Sequence, residues 1–144
     1  MHRKIVFDLK QDEDGYPPAA TESLWARSTE RDNQFTIENV PFFTREATLG
    51  DVVFVTEKDS TLYYHSTVHR SGNSLIRIIC YEACNPLTLC KELEAMRCIT
   101  EYIPSYRMIA VSVPADVRLD DVRAYLRTHF EQEFIDLEEA ILRD

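Results

Sequence analysis

The spacing of apolar residues changes once along this chain, after Glu82, and this change constrains the fold more than any single motif. Up to that point, apolar and polar residues alternate in short runs, separated by turn residues about every eight to twelve positions. The runs predict strands over residues 3–9, 22–28, 34–40, 51–57, 61–69 and 74–82. Short strands at this spacing are typical of a strongly bent antiparallel β-meander, such as a small barrel.

From Asn85 onward the spacing becomes helical. Asn85 is a favourable N-cap and Pro86 suits the first helical position, so residues 85–102 are predicted to form a helix. The apolar face of this helix consists of Leu89, Leu93, Met96 and Ile99.

A buried strand and a second helix are predicted to follow. Residues 106–114 suit the strand, and residues 118–130 suit the helix, with Asp120 and Asp121 in its favourable first turn. The buried stripe of this helix is Leu119, Val122, Leu126 and Phe130. Three later apolar residues either continue the helix or belong to a separate short helix: Phe134, Leu137 and Ile141.

The order strand, helix, strand, helix from Ser74 onward resembles an incomplete split β-α-β layout. We therefore predict an α+β fold, in which an antiparallel β-meander or small barrel is followed by a β-α-β-α half. A chain of 144 residues suits a single domain. We expect a β-rich half at residues 1–73 and an α/β half at residues 74–144, sharing one core.

The formal net charge of −9 bears on the partners of the protein. Such a charge repels phosphate backbones, so we expect no nucleic-acid binding, and it attracts a basic protein partner. The simpler alternative is that these carboxylates only keep the surface soluble. If they bind a partner, the contacts are expected in the loop 12–14 and in the acidic C-terminal stretch, at Asp12, Glu13, Asp14, Glu131, Glu133, Asp136, Glu138 and Glu139.

The N-terminal apolar run is too short for a signal peptide, and no segment approaches the roughly 20 apolar residues of a membrane span. We therefore expect a cytoplasmic protein that binds no membrane. In that compartment the four cysteines stay reduced.

The cysteines and histidines predict neither a metal site nor a cofactor. Cysteines at positions 80, 84, 90 and 98 form no C-x-x-C pair, and buried free thiols are the expected state. His65 and His69 lie on one predicted strand, roughly 13 Å apart, which is too far to hold one ion together. A surface or partner-contacting role suits these histidines better than catalysis.

The segment "HRSGNSLIRIIC", residues 69–80, has the polar residues of a reactive loop but lacks the flanking motif and the following helix that such a loop requires. Ser71 and Ser74 do not form a G-x-S-x-G elbow, and no helix follows to receive a phosphate. We predict no catalytic residues here, and a hairpin turn at residues 71–73 instead. Arg77 is the only charge in "SLIRIIC", so we expect it to be paired, with Glu22 or with a ligand.

Five motifs in the first half resemble a known bacterial family. In order, they are "DGYPP", "ESLWA", "FTIENVPFF", "LGDVV" and "SGNSLIR", and they extend from Asp14 to Arg77. Together they resemble the family catalogued as domain of unknown function 4265. The family carries no established activity, so the resemblance implies no catalytic residues.

Three functions remain open at this point. The first is a non-enzymatic protein-binding module of the immunity or antitoxin type, which neutralises a toxin. The second is a ligand-binding or enzymatic domain whose pocket between the two halves is lined by Glu22, Trp25, Tyr64, His65, His69 and Arg77. The third is a homo-oligomer, such as a homodimer, paired through an exposed strand edge.

Overall fold

The fold is α+β, and the computed structural model describes residues 1–143. The chain divides into two compact units, the first spanning Met1–Ser71 and the second beginning at Gly72. Each unit has its own cluster of buried apolar side chains. The division lies close to the predicted boundary between residues 73 and 74, and the core predicted to be shared by the two halves stays a prediction.

The first unit is a closed five-stranded barrel, as the alternating runs predicted. Its strands are β1 (His2–Asp8), β2 (Thr21–Ser28), β3 (Gln34–Ile37), β4 (Val52–Lys58) and β5 (Thr61–His69). Consecutive strands pair antiparallel, and a short parallel pairing of β1 with β5 closes the barrel. Alternate residues fill the interior: Ile5 and Phe7 of β1 are buried beside Leu24 and Ala26 of β2.

The second unit is a four-stranded sheet with two helices. Its elements are β6 (Ser74–Cys80), α1 (Pro86–Ala95), β7 (Ile99–Ile103), β8 (Met108–Val113), α2 (Leu119–Glu131) and β9 (Ile135–Ile141). The strand order β7-β8-β6-β9, with every pair antiparallel, completes the split β-α-β layout as a ferredoxin-like β-α-β-β-α-β unit.

The first helix is shorter than predicted. Asn85 caps it as expected, since its Oδ1 accepts hydrogen bonds from the N–H groups of Leu87 and Thr88. The helix ends at Ala95, and Arg97 then adopts a left-handed φ of 72° that cannot continue it. Ile99, predicted on the helix stripe, therefore begins β7.

The chain end forms a strand where a helix was predicted. Glu133 has a φ of 60°, which breaks the helical path after α2. Leu137 and Ile141 then lie in β9, opposite Ile78 and Leu75 of β6. The helical prediction was wrong because pairing with β6 overrides local spacing that also suits a helix.

The predicted hairpin turn at residues 71–73 is also wrong, because β5 and β6 belong to different sheets. The segment instead leads from the first unit to the second. Gly72 is required there because a Cβ at this position would lie 2.5 Å from the Cβ of Ala115.

Candidate functional site

A groove of about 390 Å³ runs between α2 and β9 in the second unit. It is lined by Ile76 of β6, by Arg123, Leu126, Arg127 and Phe130 of α2, and by Leu137 and Glu139 of β9. The helical period places Leu126 and Phe130 on one stripe of α2, facing the sheet. Ile76 and Leu126 are buried, whereas Phe130 is 49% exposed, so the groove presents an accessible apolar wall.

The two arginines of the groove have different surroundings. The guanidinium of Arg123 pairs with the Glu139 carboxylate, with Nε 2.8 Å from Oε2. Arg127, one helical turn later, is exposed and makes no ion pair with any residue that the structure describes. The groove therefore combines an apolar wall with one neutralised cation and one accessible cation.

Three of the predicted partner-binding carboxylates lie on or beside the groove-forming elements and face solvent. Glu131 ends α2, Glu133 lies in the turn that follows, and Asp136 lies in β9. Within residues 1–143, none of the three takes part in an ion pair. We call Glu131, Glu133 and Asp136 the acidic rim.

The other predicted carboxylates have structural contacts or lie in the first unit. Glu138 pairs with Arg77 and Glu139 with Arg123. In the loop between β1 and β2, Asp12 accepts hydrogen bonds from the backbone N–H groups of Asp14 and Tyr16. The Asp12 carboxylate thus holds the loop, while Glu13 and Asp14 are exposed.

Arg77 is 3% exposed, and its charge is paired with a carboxylate of the same sheet. Its Nη1 lies 3.0 Å from Oε1 of Glu138, which is its direct register partner on β9. Glu22, suggested as the partner, has another role. Its carboxylate accepts hydrogen bonds from the N–H groups of Phe42, Phe43 and Thr44 at 2.7–3.1 Å.

Two further pocket candidates, Trp25 and His69, lie at the barrel surface. Trp25 is 47% exposed, and Nζ of Lys4 lies 5.2 Å from its ring centre. His69 lines an open groove of about 580 Å³ beside Val52 and Val68.

Tyr64 and His65, neighbours on β5, have separate surroundings. Tyr64 stacks on Phe7, and its hydroxyl contacts Thr67, while burial raises its pKa. The ring of His65 meets Phe54 edge to face. Tyr64 therefore packs against the buried apolar cluster of the barrel, whereas His65 is exposed and contacts Phe54. The predicted ligand pocket stays a prediction.

The four cysteines are buried, free thiols. Cys80 and Cys84 lie closest, with their sulfurs 3.4 Å apart. Burial raises the pKa of Cys80 to about 12 and that of Cys98 to about 11. Among residues 1–143, no group of three or more histidine, cysteine or acidic side chains is arranged to hold a metal ion.

The thiols are expected to make the protein less stable in alkali. Unfolded thiols ionise near pH 9, whereas Cys80 and Cys98 keep their protons to about pH 11 or above, so the native state binds more protons in this interval. The free energy of unfolding should therefore fall as the pH rises above 9. Urea unfolding on both sides of that pH measures the fall, and the C80A/C98A variant should show a shallower one. An equally steep fall in this variant would contradict the prediction.

The fold and groove define the class of protein, a two-unit α+β protein with an accessible groove at the edge of its ferredoxin-like sheet. The chain belongs to the family described as domain of unknown function (DUF4265), whose model matches residues 22–137. This confirms the resemblance carried by the motifs of the first half.

A solved structure shares this fold. It is described as the novel crystal structure of a hypothetical protein from Neisseria gonorrhoeae, with 22% identity and a TM-score of 0.83. The match covers 100% of this chain and 97% of that one. No curated protein matches the chain. Within residues 1–143, no helix is both long and apolar enough to cross a membrane.

The groove itself was not predicted from the sequence. Leu126 and Phe130 were assigned to a buried stripe, and the i, i+4 pair Arg123 and Arg127 received no role. That pair beside an apolar stripe was the one available signal. The wall of the groove that faces α2 is formed in part by Leu137 and Glu139 of β9, a segment that was predicted as helix.

Proposed function

We propose that the protein is a non-enzymatic binding module of the immunity or antitoxin type, which neutralises a bacterial toxin by covering a basic surface of the toxin. In this proposal it works in the cytoplasm, where its thiols stay reduced. The observation that carries the proposal is the accessible apolar groove between α2 and β9, together with the acidic rim on these two elements and the turn between them. An apolar centre with a polar, solvent-accessible rim is the usual anatomy of a protein interface.

The charge of the acidic rim supports a basic partner. Among residues 1–143, the three carboxylates of the acidic rim form no ion pair, and a carboxylate costs less to desolvate against a cation than against an apolar surface. They also steer a basic protein toward the groove and speed its association. Many toxin domains that act on nucleic acids are basic for the same electrostatic reason.

Reversing the acidic rim should weaken binding to a toxin domain encoded beside this gene. The E131K/E133K/D136K variant is expected to associate roughly tenfold more slowly than the wild type at low salt. A higher salt concentration should reduce the difference between the two association rates. Stopped-flow association and growth rescue on co-expression measure the effect.

The matched control is D32K/E57K/E92K, which changes the net charge equally at exposed carboxylates that do not line the groove. It should retain most of the association rate. If both variants show the same fall in association rate, the total charge of the protein directs binding, and the acidic rim does not. If the wild type protects cells from no neighbouring toxin, the proposed function is wrong.

A further inference from the structure

Strand β9 is an edge of the second unit's sheet. In the order β7-β8-β6-β9 it pairs with β6 alone, so its outer backbone groups belong to no ladder among residues 1–143. Such an edge is a template for another strand. The groove runs along this same strand, because Leu137 and Glu139 of β9 line it.

A contact at Leu137 identifies one outward-facing amide. The N–H of Leu137 donates to Oδ1 of Asp136, its own neighbour, at 2.9 Å. A local side-chain acceptor is expected where an amide points away from the other strands of the sheet. An incoming strand can supply a carbonyl to this amide, which releases the Asp136 carboxylate to meet a cation.

We propose that the β9 edge takes up an extended segment of the partner in which apolar and basic residues alternate. This inference rests on the proposed function and specifies its binding mode. Apolar side chains of the segment enter the groove against Phe130 and Leu137, on the side where Arg127 disfavours cations. Basic side chains point to the opposite face, where Asp136 is exposed.

Charge selects a different protein over a second copy of this chain. Glu138 and Glu139 of β9 are paired with Arg77 and Arg123, so an antiparallel pairing of β9 with another β9 would bring the two Asp136 carboxylates, which form no ion pair among residues 1–143, onto one shared edge. Like charges across paired strands are destabilising. A basic, apolar-alternating strand meets the same edge with opposite charge.

The test uses short capped peptides that alternate lysine and valine. Isothermal titration calorimetry should detect binding of this peptide and none of its glutamate-valine counterpart. Two further lysine-valine peptides carry N-methyl groups on either the lysine or the valine amides, so each has one edge blocked. One of these two should lose roughly tenfold in affinity, because only one edge can pair with β9. Amide exchange at Leu137 should slow when the peptide binds.

A variant pair then locates the groove contact. Phe130→Ala should lower the peptide affinity roughly tenfold, as expected for an aromatic anchor. Leu87→Ala removes another exposed apolar side chain, 63% exposed on α1, and should leave the affinity unchanged.

Three outcomes overturn the inference or separate it from the proposed function. Full affinity in both N-methylated peptides overturns strand addition, because attraction by charge alone needs no ladder. Neutralisation of a toxin without any peptide binding leaves the proposed function standing and overturns the role of the β9 edge. Peptide binding at Leu137 in a protein that neutralises no toxin supports the edge and overturns the proposed function.

Discussion

Replacing Arg77 with alanine is expected to lower the free energy of unfolding of the second unit by about 3 kcal/mol. The guanidinium is 3% exposed and hydrogen-bonded to Glu138, which is itself 28% exposed. Its loss leaves a partly desolvated carboxylate without this partner and a cavity opposite Ala110 of β8. Far-ultraviolet circular dichroism during urea unfolding measures the change, because both helices belong to this unit.

The R77M/E138L double variant should recover much of this loss, since an apolar pair of similar volume needs no buried charge. Arg118→Ala is the control. Its side chain is 80% exposed and lies 4.0 Å from Asp121, so its removal should change stability by less than about 0.5 kcal/mol. Equal effects at the two arginines would show that burial does not set the contribution of Arg77.

Replacing Asp51 with alanine is expected to lower the free energy of unfolding of the barrel by about 3 kcal/mol. The Asp51 side chain is completely buried. Its carboxylate accepts hydrogen bonds from the N–H groups of Thr48 and Ser71 at 3.1 and 2.9 Å. The Ser71 hydroxyl lies 3.0 Å from the same carboxylate. Alanine removes the acceptor of the two N–H groups, whereas the Ser71 hydroxyl still donates to the carbonyl oxygen of Leu49 at 2.8 Å. The fluorescence of Trp25 follows unfolding of this unit.

Thr48→Val is the matched control for Asp51→Ala. The Thr48 hydroxyl is buried and has no hydrogen-bond partner among residues 1–143, so a change to valine should be close to neutral or slightly stabilising. The N–H of Thr48 still donates to Asp51 in this variant. A loss at Thr48→Val as large as that at Asp51→Ala would mean that general disturbance of this loop, and not the carboxylate, accounts for the effect.

Sequence patterns predicted the helices and strands correctly where a local rule and the tertiary environment favour the same structure. Asn85 and Pro86 begin α1 as the capping rule predicts, because the N-cap side chain bonds the first free N–H groups of its own helix. The alternation in β1 and β2 predicted strands because a barrel buries one face of each strand. The family resemblance rested on turns and strands of this kind.

The groove was not predictable in the same way, because its elements are assembled by long-range pairing. Residues 135–141 have spacings compatible with either a helix or a strand, and β6 decides between them by pairing from a distant part of the chain. Once β9 lies beside β6, Leu137 comes near α2 and Asp136 faces solvent. The C-terminal carboxylates were predicted together as partner contacts, but which of them form ion pairs within the protein depends on this placement.

Arg77 shows what the sequence determined and what the tertiary structure determined. The sequence by itself established that one charged residue interrupts an apolar strand and must be paired with an opposite charge, since an unpaired buried cation is unfavourable. Only the tertiary structure decided that Glu138 is the partner of Arg77, because residues 61 positions apart in the sequence become register partners on neighbouring strands. Local patterns determine the strands, helices and turns, whereas strand pairing determines which charges are neutralised and which remain available to a partner.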